Sequence, residues 1–450
     1  GPNRCDPFKE FGRVAPNNDY REDVVHYLQA LLKHAVTEFP GRFLSFAVMG
    51  GRTTEWFDDS LGTESIPRIE AWHKWCAGHD LPLCDVPGYS ERYSGVSESG
   101  GLLRTPENHA VALAYWKFNS EMSAETVGLF LKKAREVLPD EVKIGITYGY
   151  IYEIPWKFSK ASWGQLEYEH VFDSPDVDFA AEPISYGSTE RGMGGAPMAM
   201  IPLQTLKVRG KFVLNSIDTT TFTSRFPKAP GNAGSVKIMS RGVEWHTPEE
   251  VTAGLRREMC YNLINGCATW HFDMWGGWYD SETARQTLGE CKRIWDSEST
   301  LPIKDVADIL LVADPENMYY INDSHSDGAS FIIPVRKALS TAGGMFTTAS
   351  FNDLARMDLT NYKLIIFCHP FDLDHGKLEN IQKYCSGKTI LWIYAPGIIH
   401  NRKWDPENMQ RITGAEFGGS EIHYGDKSVY VPAPKTLTEA AMRQILQFSG

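Results

Sequence analysis

Short β-rich runs separated by longer stretches of helical period recur along this chain to about residue 295. That order restricts the available folds more than any other feature of the sequence. Five runs read as strands: 43–50 (FLSFAVMG), 143–150 (KIGITYGY), 177–183 (VDFAAEP), 211–218 (KFVLNSID) and 268–274 (ATWHFDM). Each is followed by a polar or glycine-rich loop and then a helix-like segment, the pattern of parallel strands joined by crossover helices in a (β/α) barrel. The clearest helix start is Thr247-Pro248-Glu249-Glu250, with Thr247 as cap, proline in the first turn and Glu250 completing a capping box. Leu255, Met259 and Leu263 continue it as an apolar stripe, and Asn265-Gly266 ends it. Similar stripes at 23–34 and 124–137 predict outer-ring helices.

After a linker at 297–303 the alternation restarts, with strands at 306–313 (VADILLVA), 363–367 (KLIIF) and 389–395 (TILWIYA) and helices near 334–342 and 376–385. This predicts a second, smaller doubly wound domain, dividing the chain into a barrel domain at 1–300 and a second domain at 301–450. No internal repeat is visible, and the first residues given, Gly-Pro-Asn-Arg-Cys, show no basic-then-apolar pattern, which leaves export undecided.

Composition narrows the partners. The 450 residues carry 45 Lys and Arg against 57 Asp and Glu, a net charge of −12 that repels phosphate backbones and anionic lipid. Nucleic acid and membrane are therefore not expected partners, and no apolar run reaches the ~18–20 residues that span a bilayer. Eight cysteines without CxxC pairs read as reduced, buried thiols rather than a disulfide or zinc framework, which inclines the reading toward a cytoplasmic setting.

Reactive groups in a barrel sit at the C-terminal ends of strands, so acids just past each strand are the first candidates. Glu55 follows the first strand in Gly-Gly-Arg-Thr-Thr-Glu-Trp-Phe, where Trp56 offers an apolar wall of the kind that raises a carboxyl pKa toward general-acid duty. Glu182 closes the third strand, with Asp178, Ala180 and Glu182 sharing one side. Its bland reading is a structural carboxylate paired with Arg191 or Arg209. Asp218 and Asp273 end the fourth and fifth strands, where a hydrogen-bonding structural role is the plain alternative. Aromatic residues crowd the same loops: Trp56, Tyr186, Trp270, Trp275 and Trp278 beside carboxylates suit a sugar ring, which stacks its C–H face and hydrogen-bonds through its hydroxyls. Core packing accounts for about half of such rings. Other motifs are weak. Ser216 lacks a GxSxG elbow, Cys368 lacks the glycine flanks of an amidotransferase nucleophile, the 192–195 loop (GMGG) follows no strand, and His369, Asp372, Asp374 and His375 match no metal-ligand spacing.

In order and spacing, Tyr20-Arg-Glu-Asp, GRFLSFAVMGGRTTEWF, KIGITYGY, SPDVDFAAEPISY with Arg191-Gly192, GKFVLNSIDTTTF and WHFDMWGGWYD resemble the β-galactosidase-like glycoside hydrolases related to family 42. The resemblance implies a (β/α)8 barrel followed by a flavodoxin-like trimerisation domain, a glycoside or oligosaccharide substrate, a homotrimer, and no metal or organic cofactor. It makes Glu55 the acid/base after strand 4, so that strands 4–8 are the visible ones, strands 1–3 are missing, and the second domain is cut short after a last helix at 437–448. It also implies a glutamate nucleophile after strand 7, where this chain has Ser216, and an arginine where it has Thr220. Three outcomes stay open: Glu182 replaces the nucleophile, the favoured one; Asp218 reaches in; or hydrolysis is lost and sugar binding kept.

Overall fold

The computed structural model describes residues 11–50, 55–58, 63–96, 102–152, 161–186, 188–224, 245–273, 276–322, 332–424 and 427–434, from 417 onward by backbone alone. All five strands read from the first half form one parallel sheet in sequence order: β1 Ser45–Val48, β2 Lys143–Ile146, β3 Phe179–Pro183, β4 Phe212–Ile217 and β5 Ala268–His271. The sheet curls into a half-barrel, as a partial (β/α)8 fold requires.

Register and side-chain contacts show which face is which. On β4, Val213, Asn215 and Ile217 face the helices. Ile217 packs with Val251 and Leu255 of the helix Pro248–Asn265, and Asn215 Nδ2 donates to Asn262 Oδ1 at 2.7 Å on that same helix. The alternate residues Phe212, Leu214 and Ser216 then lie on the concave face. Phe212 stacks there on Phe179 at 5.1 Å, and a Cβ at Gly145 would strike the Phe179 ring at 2.0 Å, so only glycine fits opposite it.

The helices follow their sequence signals. Thr247 Oγ1 accepts from Glu250 N at 3.2 Å, Glu250 Oε2 accepts from His246 N at 2.6 Å, and Gly266 ends the helix at φ 66°. The stripe predicted at 124–137 belongs to a longer helix, Pro106–Arg135, bent at His109. The helix Asn18–Glu38 packs beside it, and Asn17 caps it by accepting from Tyr20 N at 2.9 Å.

The second sheet is also parallel, in the order β7-β6-β8-β9, with β6 Ile309–Ala313, β7 Phe346–Ser350, β8 Leu364–Phe367 and β9 Thr389–Trp392. This is a flavodoxin-like winding. Strand β7 was not legible: its sequence FTTAS has no run of large apolar residues, and pairing with β6 makes it a strand. An antiparallel hairpin, Phe417–Tyr424 with Lys427–Pro434, was likewise unforeseen, and the expected helix at 437–448 lies outside the described residues. One continuous core joins the two sheets, running from Tyr152, Tyr168, Leu203 and Leu206 to Leu311, Ala313, Ile332 and Ile366. The seven described cysteines are free thiols. Among the described residues, no helix is long and apolar enough to cross a membrane.

Candidate active site

The C-terminal ends of β1 to β4 bring Glu55, Tyr150, Tyr186 and Asp218 together. Asp218 follows β4 on the same alternation as Ser216, on the concave side. Its Oδ1 accepts from Arg191 Nη2 at 2.5 Å and its Oδ2 from the Tyr186 hydroxyl at 2.8 Å, and the carboxylate is buried. Arg191 Nη1 also donates to the Asp218 carbonyl at 3.2 Å, and the guanidinium lies 4.0 Å from the Tyr186 ring centroid. Burial opposes the Arg191 charge, but Asp218, Tyr186 and Glu258 outweigh it and move its pKa upward. A bonded, charged arginine is thus fixed beside one carboxylate.

Glu55 is half-buried in a short segment pinned against β2. Trp56 N donates to Thr147 O at 3.3 Å, and Gln165 ties both sides together, its Nε2 donating to Trp56 O at 3.3 Å and its Oε1 accepting from the amides of Gly149 and Tyr150 at 3.0 Å. Three residues on, Asp58 meets the fully buried Arg68 at 3.3 Å, and Arg68 also donates to Asn119 Oδ1 and Gly12 O, each at 2.7 Å. The Tyr150 phenol lies within electrostatic reach of Glu55, Glu182 and Asp218. It is buried, donates to Ala181 O at 2.7 Å, and is pushed well up first by burial and then by the charges of Glu55, Glu182, Tyr186 and Asp218. Tyr186 is raised in the same way, by burial and by Asp218, with Glu55 adding and Arg191 opposing.

Glu182 lies on the other alternation of the sheet. It pairs in register with Asn215, which in turn pairs with Thr269, and both bond to Asn262 on the helix side of the sheet. Its Oε2 accepts from Met200 N at 3.0 Å, and its charge helps burial push the Cys267 thiol up to about 12. Asp178, on the same alternation, bonds Arg135 at 2.6 Å on the outer helix. The favoured substitute nucleophile therefore faces the helices, not the concave surface. Neither arginine expected to pair with it does so: Arg191 takes Asp218, and Arg209 takes Asp353 at 2.6 Å and Asp173 at 2.9 Å.

The aromatic candidates divide. Trp56 is 2% exposed, its ring set between Phe11 and Phe130 and its Nε1 donating to Val48 O at 3.0 Å, so it is a core side chain and not an open platform. Trp278 is equally buried. Its backbone carbonyl accepts from Thr221 Oγ1 at 2.5 Å, and its amide donates at 3.2 Å to Asp273, which caps this turn. Trp270 is half-buried beside Ser216 in register, on the concave face, with no partner for its Nε1 among the described residues. Trp275 lies outside the described residues. Ser216 Oγ is likewise buried without a partner among them. Thr220 offers no cation, and its carbonyl accepts from Trp245 N at 2.9 Å.

Sequence reasoning missed Glu258. It sits on the buried stripe of the helix Pro248–Asn265, bonded by Arg257 Nη2 at 3.2 Å and Thr219 Oγ1 at 3.3 Å. Burial raises it to about 7, with Arg191 and Arg257 opposing and Asp218 adding. An acid within an apolar stripe was the available signal. Among the described residues, no group of three or more metal-ligating side chains is present.

With this geometry in view, comparison with solved structures is informative. The chain is similar to the β-galactosidase of the psychrophilic Marinomonas ef1 (TM-score 0.58, 13% identity, 95% of this chain and 69% of that one). It also matches the β-galactosidase of the Antarctic haloarchaeon Halorubrum lacusprofundi (TM-score 0.59, 12% identity, 94% and 66%) and that of Bacillus circulans sp. alkalophilus (TM-score 0.55, 14% identity, 91% and 60%). The likeness is one of fold. The chain spans roughly two thirds of the length of these structures. No family model matches the sequence, and a search of curated proteins returns no match.

Proposed function

We propose that this chain is a glycoside hydrolase acting on β-galactoside-like sugars, with Glu55 as general acid and Asp218 as the opposing carboxylate. One observation carries the reading: at the C-terminal rim of the half-barrel Asp218 is held by Arg191 at 2.5 Å and by the Tyr186 hydroxyl at 2.8 Å, and the charge of Glu55 reaches the same Tyr186. Glu55 protonates the glycosidic oxygen. Asp218, paired with Arg191 and Tyr186, offers negative charge to the oxocarbenium-like centre. Trp270, on the concave face, supplies the stacking surface, and its unpartnered Nε1 is a donor to a hydroxyl. The similarity of fold to three β-galactosidases supports the substrate class.

The test is turnover of an aryl β-galactoside by the parent, Glu55→Gln and Asp218→Asn. General acid catalysis contributes about 10²–10⁴-fold, so Glu55→Gln is expected to lose at least about 10²-fold. Parent-level turnover in Glu55→Gln would remove the assignment. Proton NMR of the first-formed anomer reports retention or inversion.

A second reading is a sugar-binding protein without turnover. Ser216 stands on the concave face where the resemblance implies a glutamate, and both Asp218 oxygens are already engaged. It predicts heat on titrating galactosides by calorimetry with no reducing sugar released. The second module, taken as 301–450, is the proposed surface for self-association into a trimer, which light scattering would detect.

A further inference from the structure

The candidate site is braced from outside the half-barrel. Arg336, on the helix Ile332–Thr341 of the second module, is 1% exposed although it carries a full charge. Its Nη1 donates to Ala199 O at 3.0 Å and its Nη2 to Ser185 Oγ at 3.1 Å. The same Nη2 lies 3.7 Å from Glu190 Oε1, and the guanidinium sits 5.9 Å from the Tyr152 ring centroid. These four groups all come from the half-barrel part of the chain.

Two of them bracket the segment that holds Asp218. Ser185 precedes Tyr186 and accepts at its carbonyl from Arg191 Nε at 2.9 Å. Glu190 precedes Arg191 in the single-turn helix Ser188–Arg191. One face of this segment is thus tied to the second module and the other to Asp218. A buried guanidinium persists only where its charge is balanced and its donors are engaged, and here the groups that take Nη1 and Nη2 lie directly behind the Asp218 clamp.

We propose that Arg336 is a positioning residue through which the second module holds Tyr186 and Arg191 against Asp218. The effect on turnover rests on the hydrolase reading above. The geometry of the clamp does not. Displacing a reacting group by about 1 Å costs on the order of 10²-fold, so a brace at this position acts on kcat rather than on substrate affinity.

The test uses the full chain and three variants, Arg336→Met, Arg336→Lys and Arg356→Ala. Arg356 lies at the same junction, half-exposed and 2.9 Å from Asp173, and serves as a control for module docking alone. With an aryl galactoside, Arg336→Met is expected to lower kcat about 10–10²-fold with KM within about threefold, Arg336→Lys to recover part of it, and Arg356→Ala to match the parent. A 3-fluorotyrosine placed at position 186 is expected to shift its ¹⁹F resonance in Arg336→Met and not in Arg356→Ala. A folded Arg336→Met protein with parental kcat and parental ¹⁹F shift overturns the inference. A parent without turnover removes the hydrolase reading instead, and the ¹⁹F comparison still decides whether Arg336 positions Tyr186.

Discussion

The two parallel sheets of this molecule are built alike and covered differently. On β6 both alternations are buried: Leu311 and Ala313 join the core shared with the barrel, and Leu310 and Val312 pack against Phe351, Leu354 and Ile365. On β4 one alternation is fully covered, and the other is covered only at its C-terminal end, at Ser216. Val213 and Asn215 are buried against helices, while Phe212 and Leu214 on the concave face are only partly buried. A sheet covered twice has no face left for a ligand. One covered once keeps a surface, and the acids at its C-terminal rim give that surface chemistry.

The sharpest way to break this contrast is to remove one group from each sheet. Glu55→Gln is expected to cost about 10²–10⁴-fold in aryl-galactoside turnover with little change in melting temperature. Leu311→Ala, in the twice-covered sheet, is expected to cost about 2–5 kcal/mol of stability with turnover per folded molecule unchanged, read by denaturant titration. Leu214→Ala, on the half-covered face, is expected to cost clearly less than Leu311→Ala in the same titration, because less buried surface and a smaller cavity are at stake. Equal costs would mean that the concave face is as well packed as the second sheet.

A pH series sharpens the contrast between the two sides of the half-barrel. Glu258 behind β4 is raised by burial from 4.5 to about 7. An acid whose folded pKa lies above its unfolded one adds stability that is fully present below about pH 4.5 and is lost as pH rises through about 7. For Glu258 this is on the order of 3 kcal/mol. Glu258→Gln, which keeps a neutral side chain at every pH, is expected to flatten that part of the melting-temperature profile. A profile unchanged from the parent between pH 4.5 and 7 would show that Glu258 does not titrate there. The smallest expected effect is on the helix-facing side: Glu182→Gln should keep turnover within about threefold, since Glu182 faces Met200 and Cys267 and not the concave surface. A hundredfold loss would return Glu182 to the site.

Much of this was legible in the sequence. The five barrel strands, their order, the Thr247–Gly266 helix with its caps, and the restart after residue 300 each follow from local pattern, because period, capping and turn chemistry act over a few residues. Strand β7 was not, since Thr and Ser become a strand only when β6 offers its ladder. Of the site, Asp218 and Tyr186 were singled out one by one, but nothing local joined them through Arg191.

By itself the sequence determined that residues 178, 180 and 182 share one side of a strand, since a pleated strand alternates its side chains whatever surrounds it. Only the tertiary structure decided that this side faces the helices, because inside and outside exist only once Asn215, Thr269 and Asn262 have met across the sheet. The same holds for the rim. The chain supplied the carboxylates, and packing decided that Glu55 and Asp218 both act on the Tyr186 phenol while Glu182 takes Met200 N on the helix side. Electrostatic partnership depends on distance in space, and sequence separation does not carry that information.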